Sequence, residues 1–268
     1  MPIKVNESFN RKLPELAIND KAKDSSGVPY NTVSASSKST TRAAPIGGYI
    51  QDNISELVEL ADNTLRGAIQ LDEYMPGIEK TYLLANEADV VRASGQHLVY
   101  PINMLLPELF PGIATELKII CNSEVSENQE SRFDMRWLLC RPGSGKPDVT
   151  VAILEYKTTR VLHRRDFELG KCGEGNAAEM MREASKRRTK TNFDRNAVPV
   201  SLQASKYSAI CKDIAVFDWS AIMLFDLNGW VPKDRFAPRG VFYEESQNEG
   251  NFRKVLLGFL LRALSRHL

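Results

Sequence analysis

The sequence predicts an α/β fold, because segments whose apolar residues recur at helical spacing alternate with short apolar runs that read as strands. The clearest strand is Val149-Thr-Val-Ala-Ile-Leu-Glu-Tyr-Lys157, an alternating apolar run that ends in a carboxylate and an ammonium two positions apart. Phe133-Asp-Met-Arg-Trp-Leu-Leu-Cys140 reads as a second strand, and Arg141-Pro-Gly-Ser-Gly-Lys-Pro-Asp148 between them is rich in residues that turn chains, so the two form an antiparallel hairpin. The 268 residues, 43% hydrophobic and 26% charged, suffice for one large domain with a substantial core.

In chain order, residues 1–48 are polar, with the low-complexity run Ser34-Ala-Ser-Ser-Lys-Ser-Thr-Thr-Arg42, and are expected to form a flexible tail or an arm that docks on a partner. The folded domain is expected over 49–268. Ile54, Leu57, Val58, Leu60, Ala61, Leu65 and Ile69 give a first amphipathic helix, and 82–106 a second, bent or broken near Pro101. A first strand is expected over 116–121, then the hairpin. A helix over 203–212 follows, then buried strands over 214–217 and 221–227, and Val255, Leu256, Phe259, Leu260 and Leu264 mark a closing helix over 252–268.

A strand sends residues i and i+2 to one face, so Glu155 and Lys157 project side by side from a face that is otherwise apolar. Ionised groups are costly to bury unless paired or bound to a metal, and such a strand end marks a site. The hairpin brings Asp134 close to Glu155. Two carboxylates beside a lysine suit Mg²⁺, a hard cation that prefers oxygen ligands and keeps several waters. Lys157 would orient a water or neutralise charge developing on a phosphate.

Asp134, a hairpin, then Glu155-Tyr-Lys157 resembles the signature of the PD-(D/E)XK nuclease superfamily, and Gln203-Ala-Ser-Lys-Tyr207 is similar to the Gln-x-x-x-Tyr helix of its RecB-like and lambda-exonuclease-like branches. The resemblance covers roughly 87–227. It implies a restriction-endonuclease-like core (helix, three strands, helix, strand; a central mixed sheet flanked by helices) with additional N- and C-terminal helices. It also implies a Mg²⁺-dependent or Mn²⁺-dependent nuclease acting on nucleic acid, most naturally DNA. Asp134 and Glu155 would hold the metal, Lys157 would orient water, Gln203 would position Lys157 or a water, and Tyr207, with Lys206 alongside, would contact the nucleic-acid backbone. The acidic residue that the superfamily often adds from the preceding helix is best matched by Glu87, with Asp89, Glu108 and Glu116 competing. Asp148 mimics the literal Pro-Asp pair, but lies seven residues before Glu155, about 23 Å at strand rise, too far to share an ion.

Net charge is only +1, which excludes a polybasic binder as a whole, yet 160–206 carries eleven Lys and Arg against six Asp and Glu. That excess, with Arg187 and Arg188 near its centre, suits phosphate neutralisation, a solvated loop or a weak nuclear-import signal. Cys121, Cys140, Cys172 and Cys211 and the three histidines show no zinc spacing, and reduced core cysteines are expected. Trp137, Trp219 and Trp230 are expected in the core or at its rim. No secretory signal or membrane-length apolar run is present, so the chain is expected inside the cell, cytoplasmic or nuclear, without a membrane partner and with homo-oligomers open. Two other classes stay open: a nuclease-fold module without activity that binds nucleic acid or protein, and a host-directed effector.

Overall fold

A computed structural model describes residues 2–19, 43–67, 71–78, 82–109, 118–128, 131–141, 148–231, 236–245 and 251–268. The elements are α1 (Val5–Ser8), β1 (Ala17–Ile18), β2 (Tyr49–Gln51), α2 (Ile54–Gly67), β3 (Leu83–Leu84), α3 (Glu87–Ser94), α4 (Tyr100–Leu105), β4 (Lys118–Asn128), β5 (Ser131–Cys140), β6 (Val149–Tyr156), α5 (Arg164–Glu168), β7 (Lys171–Cys172), α6 (Ala177–Lys186), α7 (Ala197–Tyr207), β8 (Asp213–Phe217), β9 (Ala221–Asp226), β10 (Arg239–Glu244) and α8 (Phe252–Leu264). The chain is α/β, a mixed central sheet flanked by helices.

Among the described residues the main sheet has the order β4-β5-β6-β8-β9-β10-β2-β7. β4, β5 and β6 form an antiparallel meander, and β8 lies parallel to β6. A parallel neighbour requires a crossover. Here it contains α5, β7, α6 and α7. β9 and β10 continue antiparallel, and β2 and β7 add parallel pairs at the far edge.

Side-chain alternation splits the core in two. On one face Leu154, Tyr156, Phe217, Leu224 and Tyr243 pack with α2, α3, α4 and α8. On the other Ile153, Ile214, Val216 and Phe225 pack with Phe167 of α5 and with Val200, Ala204 and Tyr207 of α7. α8 crosses α2 so closely that a Cβ on Gly258 would lie 2.0 Å from the Leu57 carbonyl oxygen, which requires glycine there.

Several boundaries differ from expectation for identifiable reasons. The break near Pro101 is a π-helical turn, Gly95–Val99, just before a proline in the first turn of α4, where its missing N–H is harmless. α7 begins six residues earlier than expected, with Pro199 likewise in its first turn. β4 runs past the expected end to Asn128, and its expected start, including Glu116, lies outside the described residues, as do 142–147 of the hairpin loop. The three tryptophans are buried, and the four cysteines are free, three of them buried.

The domain boundary at residue 49 is corrected. Val5, Phe9 and Leu13, spaced four apart, sit in the same core as α8, and Ala17 and Ile18 pair with Leu83 and Leu84. Few as they are, these apolar groups are enough for a segment that docks on an existing core rather than building its own. Residues 34–42 lie outside the described residues.

At the end of the sheet where β8 starts and β9 finishes, three carboxylates meet three guanidiniums. Asp213 and Asp226 are paired neighbours on β8 and β9. Arg266 places Nη1 2.7 Å from both oxygens of Asp213 and Nη2 on Asp226. Arg262 bonds Asp52 at 2.8 Å and approaches Asp226 at 3.7 Å, and Arg239 bonds Asp52 at 2.8 Å. Burial pushes the Asp213 carboxyl upward while Arg266 beside it pulls it back. The network ties the end of α8 to the sheet.

Candidate active site

The other charged cluster lies at the opposite end, where β6 finishes. β6 loses its β5 neighbour after the Met135↔Leu154 pair but stays paired with β8 through Tyr156↔Phe217. The Tyr156 N–H that β5 no longer meets donates instead to Asp134 Oδ2 at 2.7 Å. A carboxylate thus replaces a ladder carbonyl, and this fixes Asp134 beside the strand end. Beyond Tyr156, the Lys157 N–H still bonds the Phe217 carbonyl at 2.9 Å, so the backbone under the lysine remains rigid.

Glu155 is 5% exposed and Lys157 2%. Lys157 Nζ donates to Glu155 Oε1 at 2.7 Å and to the Tyr156 carbonyl at 2.8 Å, and Glu87 Oε2 stands 4.0 Å away. From α7, one helical turn apart, Gln203 and Tyr207 reach the same carboxylate. Gln203 Nε2 donates to Glu155 Oε1 and, at 2.8 Å, to the Tyr207 hydroxyl, which donates to Glu155 Oε2 at 2.9 Å. The Tyr207 ring packs edge-on against Phe133, which locks that reach.

Three carboxylates therefore surround one ammonium. Burial raises the Asp134 carboxyl to about 7, and Glu155 and Glu87 push the same way against the Tyr156 N–H and Lys157. Burial also raises Glu87, with Lys157 opposing and Glu155 adding to it. Burial alone would lower the Lys157 ammonium, but Glu155, Glu87 and Asp134 together hold it above the ordinary lysine value. Lys157 is a fixed cation at neutral pH, suited to charge stabilisation and not to proton abstraction.

Asp134, Glu155, Lys157, Gln203 and Glu87 are thus brought together. Asp89, the rival of Glu87, is committed elsewhere: its carboxylate accepts the Ala85 and Asn86 N–H groups in a capping box at the start of α3. Glu108 is exposed in the turn after α4. Asp148 pairs with Cys140 at the far end of the hairpin. His163 has Asp166, Arg165, Glu244 and Arg195 as its charged neighbours, not the site acids.

The expected contact of Tyr207 with nucleic acid is corrected. At 4% exposure, with its hydroxyl given to Glu155, it supports the carboxylate from behind. Lys206 is half-buried one residue before it, while Arg187 and Arg188 are exposed beyond α6, with no ion pair to the cluster among the described residues. Sequence reasoning missed the Tyr156 N–H as the anchor of Asp134, because a backbone donor freed by the end of a ladder leaves no residue-type signal.

The donor set is three carboxylates, the chemistry of a hard divalent cation. Among the described residues no group of three acids, histidines or cysteines is spaced to grip one ion at once. Glu155 already accepts three hydrogen bonds, whereas Asp134 Oδ1 takes none among the described residues and Glu87 is 41% exposed. This fits Mg²⁺ held by one or two carboxylates and otherwise by water, its usual manner, better than a closed protein cage. No family model, curated protein or solved structure matches the chain.

Proposed function

We propose that the chain is a divalent-cation-dependent phosphodiesterase, a nuclease that hydrolyses DNA, on a restriction-endonuclease-like core. The observation that carries this reading is the convergence of Glu87, Asp134 and Glu155 on the single buried ammonium of Lys157 at the end of β6. An acidic surplus of this kind is neutralised by a cation. The element order over 87–217 supports it as well: helix, antiparallel β4-β5-β6, helix α7, then β8 parallel to β6.

Asp134 Oδ1 and Glu87 would hold Mg²⁺, with Mn²⁺ as the alternative ion, and the ion would lower the pKa of a bound water and polarise a phosphate. Asp134 must be ionised to serve, so its raised value makes the site proton-sensitive near neutrality. Lys157, held at fixed orientation by Glu155 and the Tyr156 carbonyl, presents positive charge where the pentavalent phosphate gains negative charge. Gln203 and Tyr207 fix Glu155, and through it the lysine.

Purified protein incubated with linear, circular and single-stranded DNA and with RNA, in Mg²⁺, Mn²⁺ or EDTA, should cut DNA only with the metal. Glu155→Ala and Lys157→Ala should not cut, and cleavage by both variants at the wild-type rate would remove the site from the chemistry. A second reading, a binding module without activity, is favoured by one observation: Glu155 accepts three internal hydrogen bonds, as a structural carboxylate does. Metal-independent DNA binding without cleavage in all three proteins would select it.

A further inference from the structure

We infer that the N-terminal segment, residues 2–19, is a positioning strap for Glu87, so that the metal site is incomplete without it; the inference rests on the metal reading above. Glu87 has little to hold it. It stands at the first position of α3, 41% exposed, and its recorded ion-pair partner is Lys157 at 4.0 Å. Its location is therefore set by the backbone that delivers it.

That backbone is stiff on its C-terminal side. The Asn86–Asp89 capping box closes the start of α3, Tyr82 donates to the Asp89 carbonyl at 2.9 Å, and Arg92 lies over the Tyr82 ring. On its N-terminal side the Asp89 carboxylate accepts the Ala85 and Asn86 N–H groups, and before them the support is the strap. Ala17 and Ile18 run parallel to Leu83 and Leu84, and the Asn19 N–H bonds the Leu84 carbonyl at 3.1 Å, three residues before Glu87.

The strap is itself fastened at the start of α8, beside the π turn that follows α3. Arg253, 4% exposed, gives Nη1 to the carbonyls of Ser8 and Arg11 at 2.9 Å and of Lys12 at 3.3 Å, and Nε to the His97 carbonyl at 2.6 Å. A buried guanidinium spent on four backbone carbonyls, with its pKa lowered to about 10 by burial, is an expensive clamp. Asn251 donates to the Phe9 carbonyl at 2.6 Å, and Glu245 accepts the Leu13 N–H at 3.2 Å. From this clamp the chain continues to the strand that leads into Glu87.

The test is Mn²⁺ affinity, read by electron paramagnetic resonance of free Mn²⁺, together with the metal dependence of cleavage, in full-length Asn19→Pro. Proline cannot donate the N–H that Asn19 gives to the Leu84 carbonyl. The expected result is an unchanged melting curve, Mn²⁺ binding about tenfold weaker, as for loss of outer-sphere support, and a cleavage rate restored at saturating metal. A merely structural role would lower the active fraction without moving the metal dependence. Arg253→Lys should weaken binding in the same direction, and Asn19→Pro keeps the test open if that buried change unfolds the chain. Glu87→Gln and Asp134→Asn run alongside. If both bind Mn²⁺ as the wild type does, the metal reading falls and the strap inference with it; if both bind weakly while Asn19→Pro binds normally, the strap inference alone is overturned.

Discussion

The two ends of the central sheet hold similar ingredients in different proportions. Where β8 begins and β9 ends, the buried Asp52, Asp213 and Asp226 face Arg239, Arg262 and Arg266, and Arg239 also pairs with the exposed Glu174, with bonds of 2.7–2.8 Å to both oxygens of Asp213 and of Asp52. Where β6 ends, Glu87, Asp134 and Glu155 face Lys157, their one recorded cationic neighbour among the described residues. The first arrangement holds α8 on the sheet. The second leaves net negative charge in a buried place, which raises the Asp134 carboxyl to about 7. A fold gains nothing in stability from that surplus, so the two ends differ in what their charges do for stability.

The largest break in the comparison should come from Lys157→Met, which removes the cation that Glu155 and Glu87 face. Initial-rate cleavage assays should show a loss on the order of 10³-fold, the scale of a charge-stabilising group aimed at a transition state. Next is Arg266→Met, which keeps the alkyl packing but leaves Asp213 without its cation and the adjacent Asp226 with only Arg262 at 3.7 Å. Urea unfolding should show a loss of about 3 kcal/mol, since removing one partner strands the other charges, while the cleavage rate of the folded protein is retained. Loss of cleavage with unchanged stability in Arg266→Met would erase the distinction between the two ends.

The third effect is on pH dependence. The Asp134 carboxyl titrates higher in the folded chain than in the unfolded one, so the folded state holds its proton more tightly between these values. Its contribution therefore favours folding at low pH and is withdrawn as pH rises from about 4 to about 7, with no further change above. In metal-free buffer the difference between wild type and Asp134→Asn should drift across that window by on the order of 4 kcal/mol, in favour of the asparagine variant at the alkaline end.

Glu155, Lys157 and Asp134 were legible in the sequence because their signals are local: a period-2 run ending in charge, and a hairpin that returns Asp134 to it. Gln203 and Tyr207 were legible as a pair four apart on a helix, although the direction of the Tyr207 hydroxyl, inward to Glu155, depends on how α7 sits on the sheet. The strap was not legible. Val5, Phe9 and Leu13 are three apolar residues in a polar stretch, and only the groove beside α8 makes them core. The balanced network was also invisible, because Asp52, Asp213, Asp226, Arg239, Arg262 and Arg266 come from five elements spread along the chain. β2 and β7, two or three residues long, carry no periodicity to detect.

Thermal unfolding in EDTA and in millimolar Mg²⁺, for wild type and Asp134→Asn, tests the central claim, that the β6 end is acidic in order to hold a cation. Binding to the folded state raises the melting temperature by mass action. Wild type should melt higher in Mg²⁺ than in EDTA; Asp134→Asn should melt above wild type in EDTA at pH 8 and gain nothing from Mg²⁺. Equal Mg²⁺ shifts in both proteins, or none in wild type together with destabilisation by Asp134→Asn, would contradict it.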